Sequence, residues 1–369
     1  MLEAHGGNLA AAANRLGCRP SQILDASASL VPFALPWQAR LSALTAALHP
    51  YPDRGHAALR QCLASLHGLV PGAVLPGNGA AELFTWAARD AAAEGLSLLP
   101  QPGFADYTRS LACWGGAVEG MPLPLQWSSS GPTPFPEPVS RATVLWITNP
   151  HNPTGQLWSR VSLEPLVRRF ALVICDEAFL PLVPKGEDQS LIPLVSQLPN
   201  LVVIRSLTKL YGIAGLRLGY AVAQPERLQR WAQWRDPWPV NAVSSAVGQA
   251  LLRSPSRHHH WMQRVQRWTV QEGSWLQEQL ADLPCIIPML SAANYLLIRG
   301  EERAGEPWSL QPLRQALESR HRILLRDCRS FEGLDDSWLR IGFQTRRGNR
   351  RIIQAMRKEL YEQRSGIPA

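Results

Sequence analysis

Residues 201–220 read LVVIRSLTKLYGIAGLRLGY. The apolar run Leu201–Ile204 breaks into a polar cluster, Arg205-Ser206-Leu207-Thr208-Lys209, and then into the glycine-bearing stretch Gly215-Leu216-Arg217-Leu218-Gly219-Tyr220. Two runs upstream have the same design. Ala142–Thr148 (ATVLWIT) ends in Asn149-Pro150-His151-Asn152-Pro153-Thr154-Gly155, and Ala171–Cys175 (ALVIC) ends in Asp176-Glu177. Short Val/Ile/Leu runs separated by helix-type segments are the pattern of parallel strands buried on both faces of an α/β sheet. Such sheets take up ligands at the carboxyl ends of their strands, where all three clusters fall. One edge therefore gathers a lysine, a carboxylate, an amide and hydroxyls. Taken singly, an Asp after a strand is commonly a helix cap and an Asn-Pro stretch is commonly a turn.

Only three of the 37 basic residues are lysines: Lys185, Lys209 and Lys358. Arginine keeps its proton in a protein, whereas a lysine can become a free amine and attack a carbonyl. Pyridoxal phosphate needs such an amine, together with a carboxylate beside its pyridine nitrogen, a donor to its phenolate oxygen and a cup for its phosphate. Lys209, Asp176 and Asn152 supply the first three. Ser206, Arg217 and the backbone amides after Gly77-Asn78-Gly79-Ala80-Ala81-Glu82 are the candidate cup. The predicted helix Glu82–Asp90 starts there, and a helix N-terminus offers N–H groups and positive dipole to a phosphate.

The remaining chain sets bounds. Its 369 residues, 46% hydrophobic and 18% charged, suit a folded protein with a sizeable core. The net charge of +8 is scattered in short groups such as Arg346-Arg347 and Arg350-Arg351, so no nucleic-acid partner is expected. Six cysteines show no C-x-x-C spacing, which fits reduced thiols in the cytoplasm. The N-terminus lacks a signal-peptide pattern, and no apolar run approaches the ~20 residues of a membrane helix. No metal site is expected; His258-His259-His260 are consecutive on a predicted helix, cannot converge on one ion, and read as a solvated face. We divide the chain into an arm (residues 1–40, counted with the smaller domain), a large domain (41–240) and a small α+β domain (241–369). The break falls near residues 237–248, where a long helical stretch begins after Pro237-Trp238-Pro239.

The order G-N-G-A-A-E, P-G-F-A-D-Y, N-P-H-N-P-T-G, D-E-A-F, S-L-T-K…G-L-R-L-G-Y resembles the fold-type I, aspartate aminotransferase-like, pyridoxal-phosphate enzymes over nearly the whole chain. Within them it resembles the branch of histidinol-phosphate aminotransferases and L-threonine-O-3-phosphate decarboxylases. The resemblance implies an α/β fold with a mostly parallel central sheet in the large domain, and pyridoxal 5'-phosphate as cofactor. It also implies that Phe104 stacks on the cofactor ring, although Phe104 and Tyr107 would by default be core. Tyr51, in His49-Pro50-Tyr51-Pro52-Asp53, would reach across a homodimer interface to the neighbour's cofactor phosphate. Arg340, in Leu339-Arg340-Ile341, would clamp a substrate carboxylate, and Arg326 would face a substrate phosphate. His5 and Gly7 of the arm would join them at a small phosphorylated amino-acid substrate.

Four features resemble the decarboxylases: His5-Gly6-Gly7-Asn8, Phe179 where aminotransferases carry a tyrosine, Pro237-Trp238-Pro239-Val240-Asn241, and Ala293-Asn294-Tyr295. Ser29 and Val31 depart from them, standing where that pattern has asparagines, as does Leu180-Pro181 after Phe179. The implied reaction is decarboxylation of L-threonine O-3-phosphate to an aminopropanol phosphate for cobalamin biosynthesis, with Lys209 returning a proton to Cα. Amino transfer from histidinol phosphate is the alternative.

Overall fold

The computed structural model describes residues 5–302 and 305–365. Its N-terminal strand is β1 (Leu24–Ala26); β2 (Val74–Asn78), β3 (Ser97–Gln101), β4 (Val118–Pro122) and the short β5 (Pro132–Thr133) follow. Next come β6 (Val144–Thr148), the short β7 (Leu157–Trp158), β8 (Leu172–Asp176), β9 (Leu201–Ser206) and β10 (Leu218–Val222). The C-terminal strands are β11 (Ile286–Pro288), β12 (Tyr295–Gly300), β13 (Ile323–Asp327) and β14 (Trp338–Gly342).

A seven-stranded sheet has the order β2-β10-β9-β8-β6-β3-β4. The pairs β9–β8, β8–β6, β6–β3 and β3–β4 are parallel, while β10 runs antiparallel to both its neighbours. The three apolar runs form the middle of this sheet, and their side chains divide between two cores. Leu172 and Ile174 of β8 pack with Val202 and Ile204 of β9 on one face, and Val173 and Cys175 pack with Leu201 and Val203 on the other. Cover on both faces explains why these strands read as unbroken apolar runs rather than alternating ones.

The second sheet has the order β1-β13-β14-β12-β11. Its strand β1 comes from the N-terminal arm and runs parallel to β13, pairing Leu24 with Ile323 and Ala26 with Leu325. The long helix Pro255–Ala281, capped by Ser254, precedes β11.

Two local expectations change. The helix predicted from Glu82 starts at Gly79, whose left-handed φ of 73° lets strand β2 turn directly into it. On the helix Pro255–Ala281, His259 and His260 are exposed as expected, but His258 is half-buried, with Nδ1 2.7 Å from the Tyr211 hydroxyl. Among the described residues no helix is long and apolar enough to cross a membrane.

Candidate active site

The carboxyl ends of β6, β8 and β9 meet one sheet edge through register. Thr148 stands beside Asp176, Asp176 beside Ile204, and Ser206 opposite Gly219, which also pairs with Gly77. Residues far apart in sequence thus share one rim.

Lys209 lies on the short helix Leu207–Tyr211 that follows β9, capped by the Ser206 hydroxyl accepting from the Thr208 N–H. The lysine is partly buried, with Nζ 5.3 Å from the centroid of Phe179. Burial, reinforced by the Arg340 charge, brings its amine down to about 8, against the pull of Asp176. A larger share of neutral amine is available there than on a surface lysine. Asp176 is 6% exposed. Burial pushes its carboxyl up to about 6, opposed by the Tyr107 and Ala178 hydrogen bonds and the Lys209 charge.

Asn152 is joined to β14 by Arg340, whose Nη1 donates to Asn152 Oδ1. The Asn152 amide N–H groups then remain as donors. Arg340 Nη2 donates to the Ser27 carbonyl at 3.2 Å, its guanidinium lies 4.8 Å from the Tyr295 ring, and its buried Nε has no partner. Arg326 is buried on the neighbouring strand and donates to Ser330 Oγ at 2.5 Å.

The arm reaches the same place. The His5 ring lies 5.5 Å from that of Phe104, and burial lowers the proton affinity of His5, with Arg326, Arg109 and Lys209 adding to this and Asp106 opposing it. The Gly7 N–H donates to Ser27 Oγ at 3.0 Å, so this amide fastens the arm to the residue that holds Arg340. A side chain at Gly6 would sit 2.4 Å from the Ser27 carbonyl oxygen. His5, Gly6, Ser27 and Arg326 line a cleft of about 500 Å³.

The phosphate cup can be tested by shape. A Cβ on Gly79 would lie 2.5 Å from Arg217 Nη2, and one on Gly219 would lie 2.7 Å from the Ala80 nitrogen. Gly79, Ala80, Arg217 and Gly219 therefore form a close-walled cradle, held free of side chains by backbone at Gly219 and by the left-handed φ at Gly79. The Thr208 hydroxyl is buried without a partner beside Lys209. An orphan donor and a glycine-lined cradle at the N-terminus of the helix Gly79–Glu94 fit the phosphate of pyridoxal phosphate.

Among the predicted residues, Tyr51 is the one that lies apart. It is 76% exposed, stacks on Trp238 at 4.3 Å, and lines a separate cleft with Pro50, Pro52, Asp53, Ala242 and Arg253. Sequence reasoning quoted Thr208 only as part of a polar cluster, gave Ser27 no role and took Tyr107 as core by default. The first stands next to the lysine and could have been read from that position; the other two act through contacts that spacing does not encode. No group of three or more His, Cys, Asp or Glu that could hold a metal ion occurs among the described residues.

The signature of the aminotransferase class I and II family matches residues 22–356. The chain is 33% identical to the threonine-phosphate decarboxylase of Salmonella typhimurium, over 97% of its own length and 96% of the relative's. It is 32% identical to a histidinol-phosphate aminotransferase of Symbiobacterium thermophilum, over 87% and 85% of the two chains. The solved structure of histidinol-phosphate aminotransferase from Sinorhizobium meliloti in complex with pyridoxal-5'-phosphate matches with a TM-score of 0.82 at 20% identity, covering 97% of this chain and 95% of that one.

Proposed function

The chain belongs to the aminotransferase class I and II family, and on that premise we propose that it is a pyridoxal-phosphate-dependent decarboxylase of L-threonine O-3-phosphate. It is an enzyme with the aspartate aminotransferase-like fold. The observation that carries the finer reading is the pair of buried arginines on β13 and β14, one for each anion of a substrate that bears both a carboxylate and a phosphate. The likeness to the Salmonella decarboxylase over nearly both full lengths supports it.

When bound, pyridoxal phosphate supplies an aldehyde for an amine and a ring that takes up the electrons released as a bond to the substrate's Cα breaks. Lys209 would hold the cofactor, Asp176 its ring nitrogen and Asn152 its phenolate oxygen. Phe104 would cover its ring. Ser206, Thr208, Arg217 and the amides at Gly79 and Ala80 would take its phosphate. Arg340 would orient the substrate carboxylate, and Arg326, with His5 over the cleft, would grip the distal phosphate. A strong ground-state hold on the carboxylate opposes its departure as neutral CO2, because only interactions that strengthen in the transition state accelerate a step. Binding energy at Arg326 therefore does the anchoring, leaving Arg340 to aim the scissile bond. The Lys209 amine, on the helix that follows β9, would be the group that delivers a proton to Cα.

A homodimer in which Tyr51 completes the neighbour's phosphate site is part of the same reading. Its support is the row of exposed apolar side chains Trp37, Leu41, Leu44, Leu48 and Tyr51. We place the enzyme in the cytoplasm, in keeping with its six free cysteines, and assign the product to cobalamin biosynthesis. The test is mass-spectrometric identification of products from threonine phosphate, run beside 2-oxoglutarate-dependent amino transfer from histidinol phosphate. CO2 and aminopropanol phosphate are expected. Fast amino transfer without CO2 would replace this reading with the aminotransferase one, which the Symbiobacterium relative supports.

A further inference from the structure

Asp176 does not stand alone at the end of β8. Its Oδ1 accepts the Ala178 N–H at 2.9 Å, and its Oδ2 accepts the Tyr107 hydroxyl at 2.7 Å. The same hydroxyl lies 2.8 Å from Thr148 Oγ1. Tyr107 has one proton to give, and an ionised carboxylate can only accept. Both bonds therefore have a fixed direction: Thr148 donates to Tyr107, and Tyr107 donates to Asp176.

The fold sets this chain of donors in advance. Thr148 and Asp176 are Cα partners of adjacent parallel strands. Tyr107 is 4% exposed on the helix Ala105–Ala112, its ring wedged 5.1 Å from Phe84, 5.5 Å from Phe104 and 5.1 Å from Trp146. The Tyr107 ring cannot swing away without disturbing three aromatic contacts.

We propose that Tyr107, backed by Thr148, is a positioning residue that keeps the Asp176 carboxylate an acceptor, so that the proton it shares with the ring nitrogen of pyridoxal phosphate stays on the ring. This rests on the reading of Asp176 as the ring nitrogen's partner. The physics is a competition for one proton. Burial and the nearby Glu177 favour the neutral acid at Asp176, whereas the Tyr107 hydroxyl, the Ala178 amide and the Lys209 charge favour the anion. A cationic ring draws electrons from Cα; a ring whose proton has moved to the carboxylate draws them less. Tyr107 suits the task because burial and the Asp176 charge raise its hydroxyl well above the ordinary tyrosine range, so it donates without ionising.

The test is 15N NMR of holoenzyme loaded with pyridoxal 5'-phosphate labelled at the ring nitrogen, without substrate. Wild type is expected to carry the signature of a protonated ring at neutral pH. Tyr107→Phe, which keeps the ring contacts, is expected to move the resonance toward that of the neutral ring at neutral pH. Thr148→Val should give a smaller shift in the same direction. Asp176→Asn, the reference, should lose the protonated signature. An unchanged resonance in Asp176→Asn overturns the placement of Asp176 itself. A shift in Asp176→Asn with none in Tyr107→Phe overturns only the role of Tyr107. Should Tyr107→Phe fail to fold, an unshifted resonance in Thr148→Val overturns the proposal.

Discussion

Arg326 and Arg340 face each other directly across the antiparallel pair β13–β14, with only 3% and 6% of their surfaces exposed. Like charges placed opposite one another oppose strand pairing, so these positions serve something other than stability. Arg326→Met, close in length and free of charge, is therefore expected to leave unfolding stability unchanged or higher by up to about 1 kcal/mol. Affinity for threonine phosphate should meanwhile fall at least tenfold. Urea denaturation and ligand titration read the two effects separately, and a clear loss of stability would make Arg326 a structural residue.

Lys209 sets a pH dependence. Its amine sits at about 8 rather than the usual 10.5, and only the neutral form attacks an aldehyde. The rate at which apoprotein takes up pyridoxal phosphate should rise with pH and reach half its plateau near 8. Stopped-flow absorbance measures this. Lys209→Ala should keep its far-ultraviolet spectrum and melting transition yet resist covalent labelling by cofactor and borohydride.

Gly79 tests the cradle. Its φ of 73° costs a residue with a side chain about 1 kcal/mol, and the added methyl would press on Arg217 Nη2 from 2.5 Å. Gly79→Ala should bind pyridoxal phosphate at least tenfold more weakly while remaining folded, as read by quenching of tryptophan fluorescence.

Behind the sheet edge, Arg205 donates to the buried Glu177 at 2.8 Å and to Glu187 at 2.8 and 3.0 Å. Arg205→Met leaves Glu177 buried without its cation, and a loss of about 3–5 kcal/mol is expected. Adding Glu177→Met should recover part of it. Although burial raises the Glu187 carboxyl, Arg205 outweighs this and holds it below its ordinary range. Its contribution is present above the unfolded-state value and disappears as pH falls through the folded one. Urea midpoints across acid pH should show that loss in wild type and a weaker one in Arg205→Met.

The proposed homodimer calls for a mixing experiment. Lys209→Ala and Tyr51→Ala are each expected to be impaired, and a mixed dimer of the two would have one site with both Lys209 and the neighbour's Tyr51. Activity above the sum of the two parents is the expected result; no gain would mean that Tyr51 serves its own chain.

Much of the rim was legible because burial on both faces writes itself as unbroken apolar runs, and the polar residues that end those runs come together at one sheet edge. Lys209, Asp176 and Asn152 were picked out this way. Register was not legible. Nothing in the spacing places Thr148 beside Asp176 or Arg326 opposite Arg340, because strand neighbours depend on how separate segments align. Tyr107 was read as core for the same reason: an aromatic at a helix start buries its ring whether or not its hydroxyl finds a carboxylate. The antiparallel course of β10 was likewise invisible, since a short apolar run carries no mark of direction.

The Arg340–Ser27 hydrogen bond spans 313 positions of the chain, and β1 finds its partner only in residues 323–325. On the ribosome, β1 must wait until nearly the whole polypeptide has emerged, whereas the strands from β2 to β10 have all their partners by residue 222. A nascent or prematurely ended chain can therefore complete the seven-stranded sheet while β1 remains undocked. On the proposed reading, such a product would carry Lys209 and Asp176 without Arg326 and Arg340, and the last step of maturation would be β1 docking beside β13.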